Sequence, residues 1–347
     1  MVRYLSRRYR RRKSKSRKWV YIILLILIAA GVKVFIKGSQ PSQTYAENEN
    51  KFSPGSIERT PADIYQQVYL PQSTINQIEV PFSDIQYEPA GKTNSQAAKL
   101  IAEATGYLKT KPPNIIQARD MLNKILLFPI SSQQKFFIRK QLSVLADKWL
   151  FSRTIYPTDK LCDSFKVKPG DRLSRISKKK NIPYEILLQI NNLKNAKALR
   201  AGDWIKVING PFHARVYCSN YTMDLYLQDT FVKSFKVGLG RQGHETPTGL
   251  WRVKKGGKLI SPTWTDPDTG KTYEAQDPDY PLGSRWIGLE GLEGNAKDRT
   301  GFAIHGTKNR SSVGVASSKG CIRLLDKNAI LMYDLLMSGV SLIEVVE

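Results

Sequence analysis

Residues 301–325, GFAIHGTKNRSSVGVASSKGCIRLL, constrain the fold more than any other part of the chain. Alternation in residues 302–304 predicts a strand that ends at His305, and Cys321 follows a Ser-Ser-Lys-Gly turn. The thiolate is the nucleophilic form of cysteine, so an imidazole within hydrogen-bond reach can take the thiol proton and return it to a leaving amine. The stretch therefore predicts a cysteine and a histidine brought together by strands.

Glycines stand beside both candidate residues. Gly306 and Gly320 let the backbone come close, and amide N–H groups around Gly320 and Cys321 are candidates to face a developing oxyanion. Arg323 lies two residues further in strand alternation, where its guanidinium can bind a carboxylate through two hydrogen bonds. The structural alternative is a buried inert thiol and a core histidine.

The order I-H-G-T, a variable stretch, then S-x-G-C-I-R resembles the signature of the L,D-transpeptidases, also called YkuD-like catalytic domains. The resemblance implies Cys321 as the acylated nucleophile and His305 as its general base. It also implies that the Gly306 carbonyl orients the imidazole and that Arg323 holds the terminal carboxylate of the substrate. The T-P-T-G block at residues 246–249 resembles the same family.

This chain departs from the commoner S-H-G-C form, because Lys319 stands where a second histidine is usual. We expect Ser318 and Lys319 to contact the substrate, and Trp286, just before the catalytic strand, to line the cleft. A lysine ammonium two residues before Cys321 would also favour the thiolate.

Composition narrows the choice of partners. The chain has 347 residues and a formal charge of +24, and residues 1–18 carry ten Lys or Arg and no acid. No zinc-finger, helix-turn-helix or RNA-binding signature accompanies this charge, so nucleic acid is not predicted as a partner. Anionic membrane lipids and wall polymers are the partners expected of an exported basic protein.

Cys162, Cys218 and Cys321 are an odd number of cysteines. If Cys321 is the nucleophile, Cys162 and Cys218 are either a disulfide pair or two separate buried thiols, and the sequence leaves both open. A metal hydrolase built on His213, His244 and His305 ranks last, since no H-x-x-x-H or C-x-x-C spacing supports it. No metal or other cofactor is predicted.

The N-terminal third predicts a membrane anchor followed by a spacer. After the basic tail of residues 1–18, the apolar run of residues 19–37 is long enough for one transmembrane helix. The basic flank predicts that the tail is cytoplasmic and that the C-terminal domains lie in the cell envelope on the extracytoplasmic side. A cleaved signal peptide is the alternative. Residues 38–92, rich in Ser, Gln, Asn and Pro, predict a flexible linker.

Three further regions complete a multidomain α+β chain. Residues 93–160 show apolar positions at helical spacing and predict a small tetratricopeptide-like helical region. Residues 163–209 resemble a LysM module, which implies a β-α-α-β fold that binds N-acetylglucosamine-containing glycans, with Asp171 expected to cap its first helix. Short runs with Gly and Pro punctuation predict a mostly β catalytic domain over residues 211–347, with a long loop at residues 262–283 covering its cleft.

These features favour an envelope L,D-transpeptidase that acts on peptidoglycan stem peptides, with LysM binding the glycan strands. Water in place of an acceptor amine would make it an L,D-carboxypeptidase, and the sequence does not choose between them. A non-catalytic LysM anchor is the remaining alternative. Loss of His305 or Cys321 would indicate that alternative, and both residues are present.

Overall fold

The structure is a computed structural model that describes residues 95–347. The predicted tail (1–18), transmembrane helix (19–37) and linker (38–92) lie outside the described residues. Within residues 95–347, no helix combines the length and the apolar character needed to cross a bilayer.

Three helices form the first described region: α1 (Ser95–Lys109), α2 (Ile115–Ile125) and α3 (Ser132–Trp149). Helix α3 begins with a capping box, in which Ser131 accepts from the Gln134 amide and the Gln134 side chain accepts from the Ser131 amide. Leu122, Leu142 and Trp149 are buried between the helices and their neighbours, as expected for apolar residues at helical spacing.

The next region has the predicted β-α-α-β order. Strands β1 (Cys162–Lys166) and β2 (Trp204–Ile208) pair antiparallel and enclose helices α4 (Leu173–Lys179) and α5 (Tyr184–Ile190). The predicted cap of α4 is wrong, because Arg172 occupies the N-cap position without a side-chain hydrogen bond. Asp171 instead accepts from the Lys168 amide at 2.8 Å and closes the turn before the helix.

The C-terminal region is built on an eight-stranded mixed sheet, which confirms the mostly β prediction. Its strands in chain order are β3 (Phe212–Tyr217), β4 (Thr222–Leu227), β5 (Thr230–Lys236), β7 (Gly249–Ile260), β10 (Arg285–Gly294), β11 (Ala303–Thr307), β13 (Ile322–Leu325) and β14 (Leu342–Val346). Their spatial order is β13-β11-β10-β7-β14-β3-β4-β5. The β11–β13 and β14–β3 pairs are parallel, and helix α6 (Asp326–Leu335) follows β13 directly.

Short strands complete the region. The strands β6 (Leu239–Gly240) and β12 (Ala316–Ser318) pair in parallel beside the sheet. The predicted loop of residues 262–283 carries a small hairpin made of β8 (Trp264–Thr265) and β9 (Thr272–Tyr273). Tyr280 anchors the base of this loop, since its hydroxyl donates to the Pro262 carbonyl at 2.6 Å.

A buried lysine joins the helical region to the LysM-like region. Lys206 on β2 is 1% exposed, and its ammonium donates to the carbonyls of Ser152 at 3.0 Å and Thr154 at 2.7 Å, and also to that of Trp149. These carbonyls lie at and just beyond the end of α3, where helix carbonyls lack partners within the helix. Burial lowers the pKa of Lys206, and the nearby Cys162 and Asp159 oppose that shift. The lysine therefore caps α3 from another part of the fold.

We expect Lys206→Met to lower the free energy of unfolding by about 2 kcal/mol or more, because three carbonyls lose the donor that they share and the hydrogen bond to the Trp149 carbonyl is buried. Lys166→Met is the matched control, since Lys166 lies on the partner strand β1 but is exposed over the Trp204 ring. Denaturant unfolding of both variants measures the difference. Equal stability of the two variants would show that the Lys206 ammonium contributes nothing beyond its alkyl chain.

Candidate active site

The parallel pairing of β11 with β13 brings the three predicted site residues onto one face of the sheet. His305 lies directly opposite Arg323, and Ile304 opposite Ile322. Side chains alternate along a strand, so Cys321 extends the face that carries Arg323 and His305. Ile304 and Ile322 point the other way into the core, where both are almost fully buried. The core packing of these isoleucines thereby holds the polar residues in place.

His305 is enclosed by protein. It is 4% exposed, and its Nδ1 lies 2.7 Å from the Gly306 carbonyl oxygen. A carbonyl only accepts, so Nδ1 carries the proton and Nε2 keeps its lone pair. Burial lowers the pKa of the imidazole from 6.5 to about 4, and the Arg323 charge adds to this, while the Gly306 and Leu282 carbonyls oppose it. The imidazole is therefore neutral at neutral pH.

Trp286 is placed beside the histidine. It lies opposite His305 in the β10–β11 pairing, and the two rings stack at 17° with centroids 5.8 Å apart. The predicted cleft-lining tryptophan thus contacts the candidate base itself. Its ring limits the rotation of the imidazole.

Cys321 is partly exposed, and its Sγ lies 3.9 Å from the Gly301 carbonyl oxygen. Burial raises the pKa of the Cys321 thiol, while a hydrogen bond with the Ala303 backbone and the Arg323 charge lower it. Among the described residues, the thiol hydrogen-bonds with backbone groups of Gly301 and Ala303 and not with the imidazole. The thiol and the imidazole are therefore neighbours on one face that are not yet joined by a hydrogen bond.

Hydrogen bonds of the Ser318 side chain stabilise the turn before Cys321. Ser318 is 1% exposed, and its hydroxyl donates to the Cys321 carbonyl at 2.6 Å and accepts from the Gly320 amide at 3.1 Å. The Ser318 hydroxyl thus supports the turn from a buried position, and its predicted contact with substrate stays a prediction. The Gly320 amide is bonded to this hydroxyl, which leaves the Cys321 amide as the other predicted oxyanion donor.

Gly320 is required by the backbone. Its φ of +109° is a conformation that residues with a Cβ rarely adopt, and a Cβ here would lie 2.6 Å from the Phe302 ring. The Gly320 carbonyl accepts from the Thr246 hydroxyl at 2.9 Å. The T-P-T-G block thus supports the turn before the cysteine. The sequence motif indicated the block but did not predict this contact.

Lys319 is engaged by carboxylates of the loop at residues 262–283. Its ammonium pairs with Asp266 at 2.5 Å and with Asp268 at 2.8 Å, both in the β8–β9 hairpin. Hydrogen bonds with these two carboxylates raise the pKa of Lys319. The positive charge that shifts the Cys321 pKa comes from Arg323, so the expected thiolate-promoting role of Lys319 is not supported.

Arg323 is half-buried beside His305, and its Nη1 makes only long contacts of 3.4 Å with the Ser317 carbonyl and hydroxyl. Within residues 95–347, no carboxylate pairs with this guanidinium. A guanidinium in this setting can accept a carboxylate from a bound molecule.

The loop of residues 262–283 lies over this face. Its hairpin reaches Lys319 through Asp266, and the Leu282 carbonyl faces His305. Gly283 packs so closely on Gly306 that a Cβ on Gly283 would lie 2.7 Å from the Gly306 Cα. The loop therefore contacts His305 and the turn that precedes Cys321. The sequence predicted its position but not these contacts.

The remaining candidate ligands are separate from this face. Cys162 and Cys218 are free thiols, and burial raises the pKa of Cys162 to about 12. His213, on β3, accepts a hydrogen bond from the Leu342 amide at 3.0 Å. In the part of the chain that the structure describes, no group of three His, Cys, Asp or Glu residues is arranged to hold a metal ion.

An open cleft of about 670 Å³ lies away from Cys321, between the helical region and the strands around β3. Its walls include Asn123 and Arg139 from the helices and His213, Arg215 and Tyr226 from the strands. Arg139 crosses it to pair with the buried Asp224 at 2.8 Å. The cleft contains none of the residues around Cys321, so we assign the site by its chemistry and not by its volume.

The low pKa of His305 predicts a loss of stability in acid. The unfolded chain binds a proton as the pH falls through 6.5, whereas the folded protein does so only near pH 4, so the free energy of unfolding decreases as the pH falls between these values. The full effect is about 3 kcal/mol. Denaturant unfolding at pH 7 and pH 5 should show a smaller decrease for His305→Gln than for the wild type. Equal decreases would contradict the buried neutral imidazole.

Comparison with known proteins finds two parts of the chain that match family models. Residues 211–345 match the model of the L,D-transpeptidase catalytic domain, YkuD, and residues 165–207 match that of the LysM domain. Bacillus subtilis YkuD, whose name assigns it to the L,D-transpeptidases, is 29% identical over 183 residues, which cover 51% of this chain and 94% of that protein. YqjB of the same organism is 32% identical over 107 residues, covering 30% of this chain and 54% of YqjB.

Solved structures of L,D-transpeptidases are also similar. One from Mycobacterium tuberculosis has 17% identity and a TM-score of 0.32, covering 42% of this chain and 63% of that one. The catalytic domain from E. faecium has 20% identity and a TM-score of 0.30, covering 39% of this chain and 95% of that one. The similarity therefore lies in residues 211–345, which match the L,D-transpeptidase catalytic domain, and in residues 165–207, which match the LysM domain.

Proposed function

We propose that the protein is a peptidoglycan L,D-transpeptidase of the cell envelope, in which Cys321 is the nucleophile and His305 the general base. The observation that supports this most is the placement of Cys321, His305 and Arg323 on one face of two parallel strands beneath the loop of residues 262–283. The catalytic-domain match and the relatives named as L,D-transpeptidases support the same reaction class.

In the first half-reaction, the Cys321 sulfur attacks the carbonyl carbon of the amide after the third residue of a stem peptide. The thiol proton passes to Nε2 of His305, and the carbonyl oxygen becomes an oxyanion. Because Ser318 occupies the Gly320 amide, the Cys321 amide is the remaining candidate donor to that oxyanion. The C–N bond then breaks, His305 returns the proton to the leaving D-amino acid, and a thioester remains on Cys321.

In the second half-reaction, an amine of a neighbouring stem attacks the thioester. His305 takes a proton from the attacking nitrogen, and the Cys321 thiolate leaves and is protonated again. Water attacking in place of the amine gives the L,D-carboxypeptidase reaction. Arg323 has no carboxylate partner within residues 95–347 and is positioned to hold the terminal carboxylate of the donor stem.

The resting site favours proton transfer during attack. Burial lowers the pKa of His305 to about 4 and raises the pKa of Cys321, so the neutral thiol and neutral imidazole are the stable pair. A preformed thiolate–imidazolium pair is disfavoured in such surroundings. A bound stem peptide must therefore bring the thiol and the imidazole into contact as the reaction begins.

In our proposal, the LysM domain and the predicted N-terminal helix keep the catalytic domain close to the cell wall. LysM would hold N-acetylglucosamine-containing glycan strands, and residues 19–37 would anchor the chain in the cytoplasmic membrane. The basic residues of the tail would bind anionic lipids.

The nucleophile is tested with a stem tetrapeptide and the full chain in detergent. Wild type should release the terminal D-amino acid and gain the mass of the acyl tripeptide, and Cys321→Ala should do neither because no thioester can form. Mass spectrometry follows both, and a cross-linked dimer or a free tripeptide distinguishes an amine acceptor from water. Acylation of Cys321→Ala would exclude Cys321, and a silent wild type would favour a non-catalytic wall-binding protein.

The origin of the charge at the thiol is tested by iodoacetamide alkylation of Cys321 against pH. Arg323→Gln should move the profile to higher pH, because the Arg323 charge lowers the thiol pKa. Lys319→Gln is the matched control and should leave the midpoint in place, since its ammonium is paired with Asp266 and Asp268. A shift in Lys319→Gln as large as that in Arg323→Gln would restore the thiolate-promoting role for Lys319.

A further inference from the structure

Helix α6 connects the candidate active site to the LysM domain. At its first residue, Asp326 accepts from the Ser284 amide at 2.6 Å, which fixes the loop end beside Gly306. Asp334 lies eight positions later on the same helix, about 12 Å further along the axis. One rigid element therefore carries a contact to each domain.

The contact with the LysM domain includes a short hydrogen bond from a half-buried side chain to a buried carboxylate. Nε2 of Gln189 on α5 donates to Oδ2 of Asp334 at 2.6 Å, and Asp334 is 2% exposed. Hydrogen bonds to a charged acceptor are stronger than neutral ones, and a buried carboxylate that loses its donor is destabilised. This bond joins residues 145 positions apart in sequence.

Charged and aromatic groups surround that bond. The centroid of the Tyr333 ring lies 4.3 Å from the Lys258 ammonium and 5.3 Å from the Arg285 guanidinium. Glu185 on α5 and Asp334 supply the negative charges nearest to Lys258. The contact between the domains is thus polar and charge-matched.

This contact also contains buried polar atoms that have no hydrogen-bond partner in the part of the chain that the structure describes: Gln189 Oε1 and Arg285 Nε. An apolar contact of the same size would be more stable than one with unmet polar groups. Polar groups instead fix direction, because hydrogen bonds tolerate little change in angle. The contact is better suited to setting an orientation than to adding stability.

We propose that Gln189 and Asp334 hold the LysM domain in one orientation on the catalytic domain, so that Cys321 acts on stems attached to the glycan strand that LysM has bound. Both are positioning residues and touch no reacting atom. This inference rests on the proposed function, and it adds that the preferred substrate is a glycan-attached stem and not a free peptide.

The test compares release of the D-amino acid from two substrates by the full chain: a free stem tetrapeptide and uncross-linked glycan strands bearing the same stem. Gln189→Glu places a carboxylate against Asp334 and should lower kcat/KM on glycan-attached stems roughly tenfold, with less than about a twofold change on the free tetrapeptide. The double variant Gln189→Glu/Asp334→Asn exchanges donor and acceptor across the same contact. It should restore activity on glycan strands.

Hydrogen exchange of the α5 amides provides a readout that does not depend on activity. Exchange should be faster in Gln189→Glu and return towards the wild-type rate in the double variant. Equal losses on both substrates, no loss on glycan strands, or no recovery in the double variant would overturn the inference. A wild type that acts on neither substrate would overturn the proposed function instead, and the exchange rates would still decide whether this bond holds the domains together.

Discussion

The active site depends on a close backbone approach that leaves no space for side chains. Gly283 of the loop and Gly306 of β11 meet under the Asp326 carboxylate, and a Cβ on Gly306 would overlap that carboxylate. Asp326 also accepts from the Ser284 amide, which fixes the loop end against the strand. The carbonyls of Leu282 and Gly306, which both face the imidazole, are held by this packing. The orientation of His305 is therefore set by the backbone around it.

Enclosure explains the electrostatics of the site. Removing water disfavours the charged forms of both the imidazole and the thiol, and the Arg323 charge lowers the pKa of each. In the proposed reaction, a substrate carboxylate bound to Arg323 would cancel much of this charge. The imidazole would then become a stronger base at the moment when the scissile amide is in place, so substrate binding and base strength are coupled through one arginine.

The sequence predicted those parts of the molecule that depend on local pattern. The β-α-α-β order, the mostly β domain and the strand ending near His305 follow from alternation and turn residues. It did not predict the contacts of Ser318 or Lys319, because a one-dimensional motif does not tell a buried turn hydroxyl from an exposed one, and the Asp266 partner lies 53 positions earlier. Asp171 was misplaced by one residue for a similar reason, since turn and cap favour the same side chain.

Lys319 shows how a departure within a motif can act on a distant element. Its backbone belongs to the turn that presents Cys321, while its ammonium holds the hairpin through Asp266 and Asp268, and Arg241 lies 3.8 Å from the second of these carboxylates. All four side chains are partly exposed, and ion pairs in that setting add little net stability. Such ion pairs hold the hairpin against the turn that precedes Cys321 only weakly. In the proposed reaction, a stem peptide that supplies its own charges would displace these ion pairs, so we expect Lys319 to act on access to the site and not on the reactivity of the thiol.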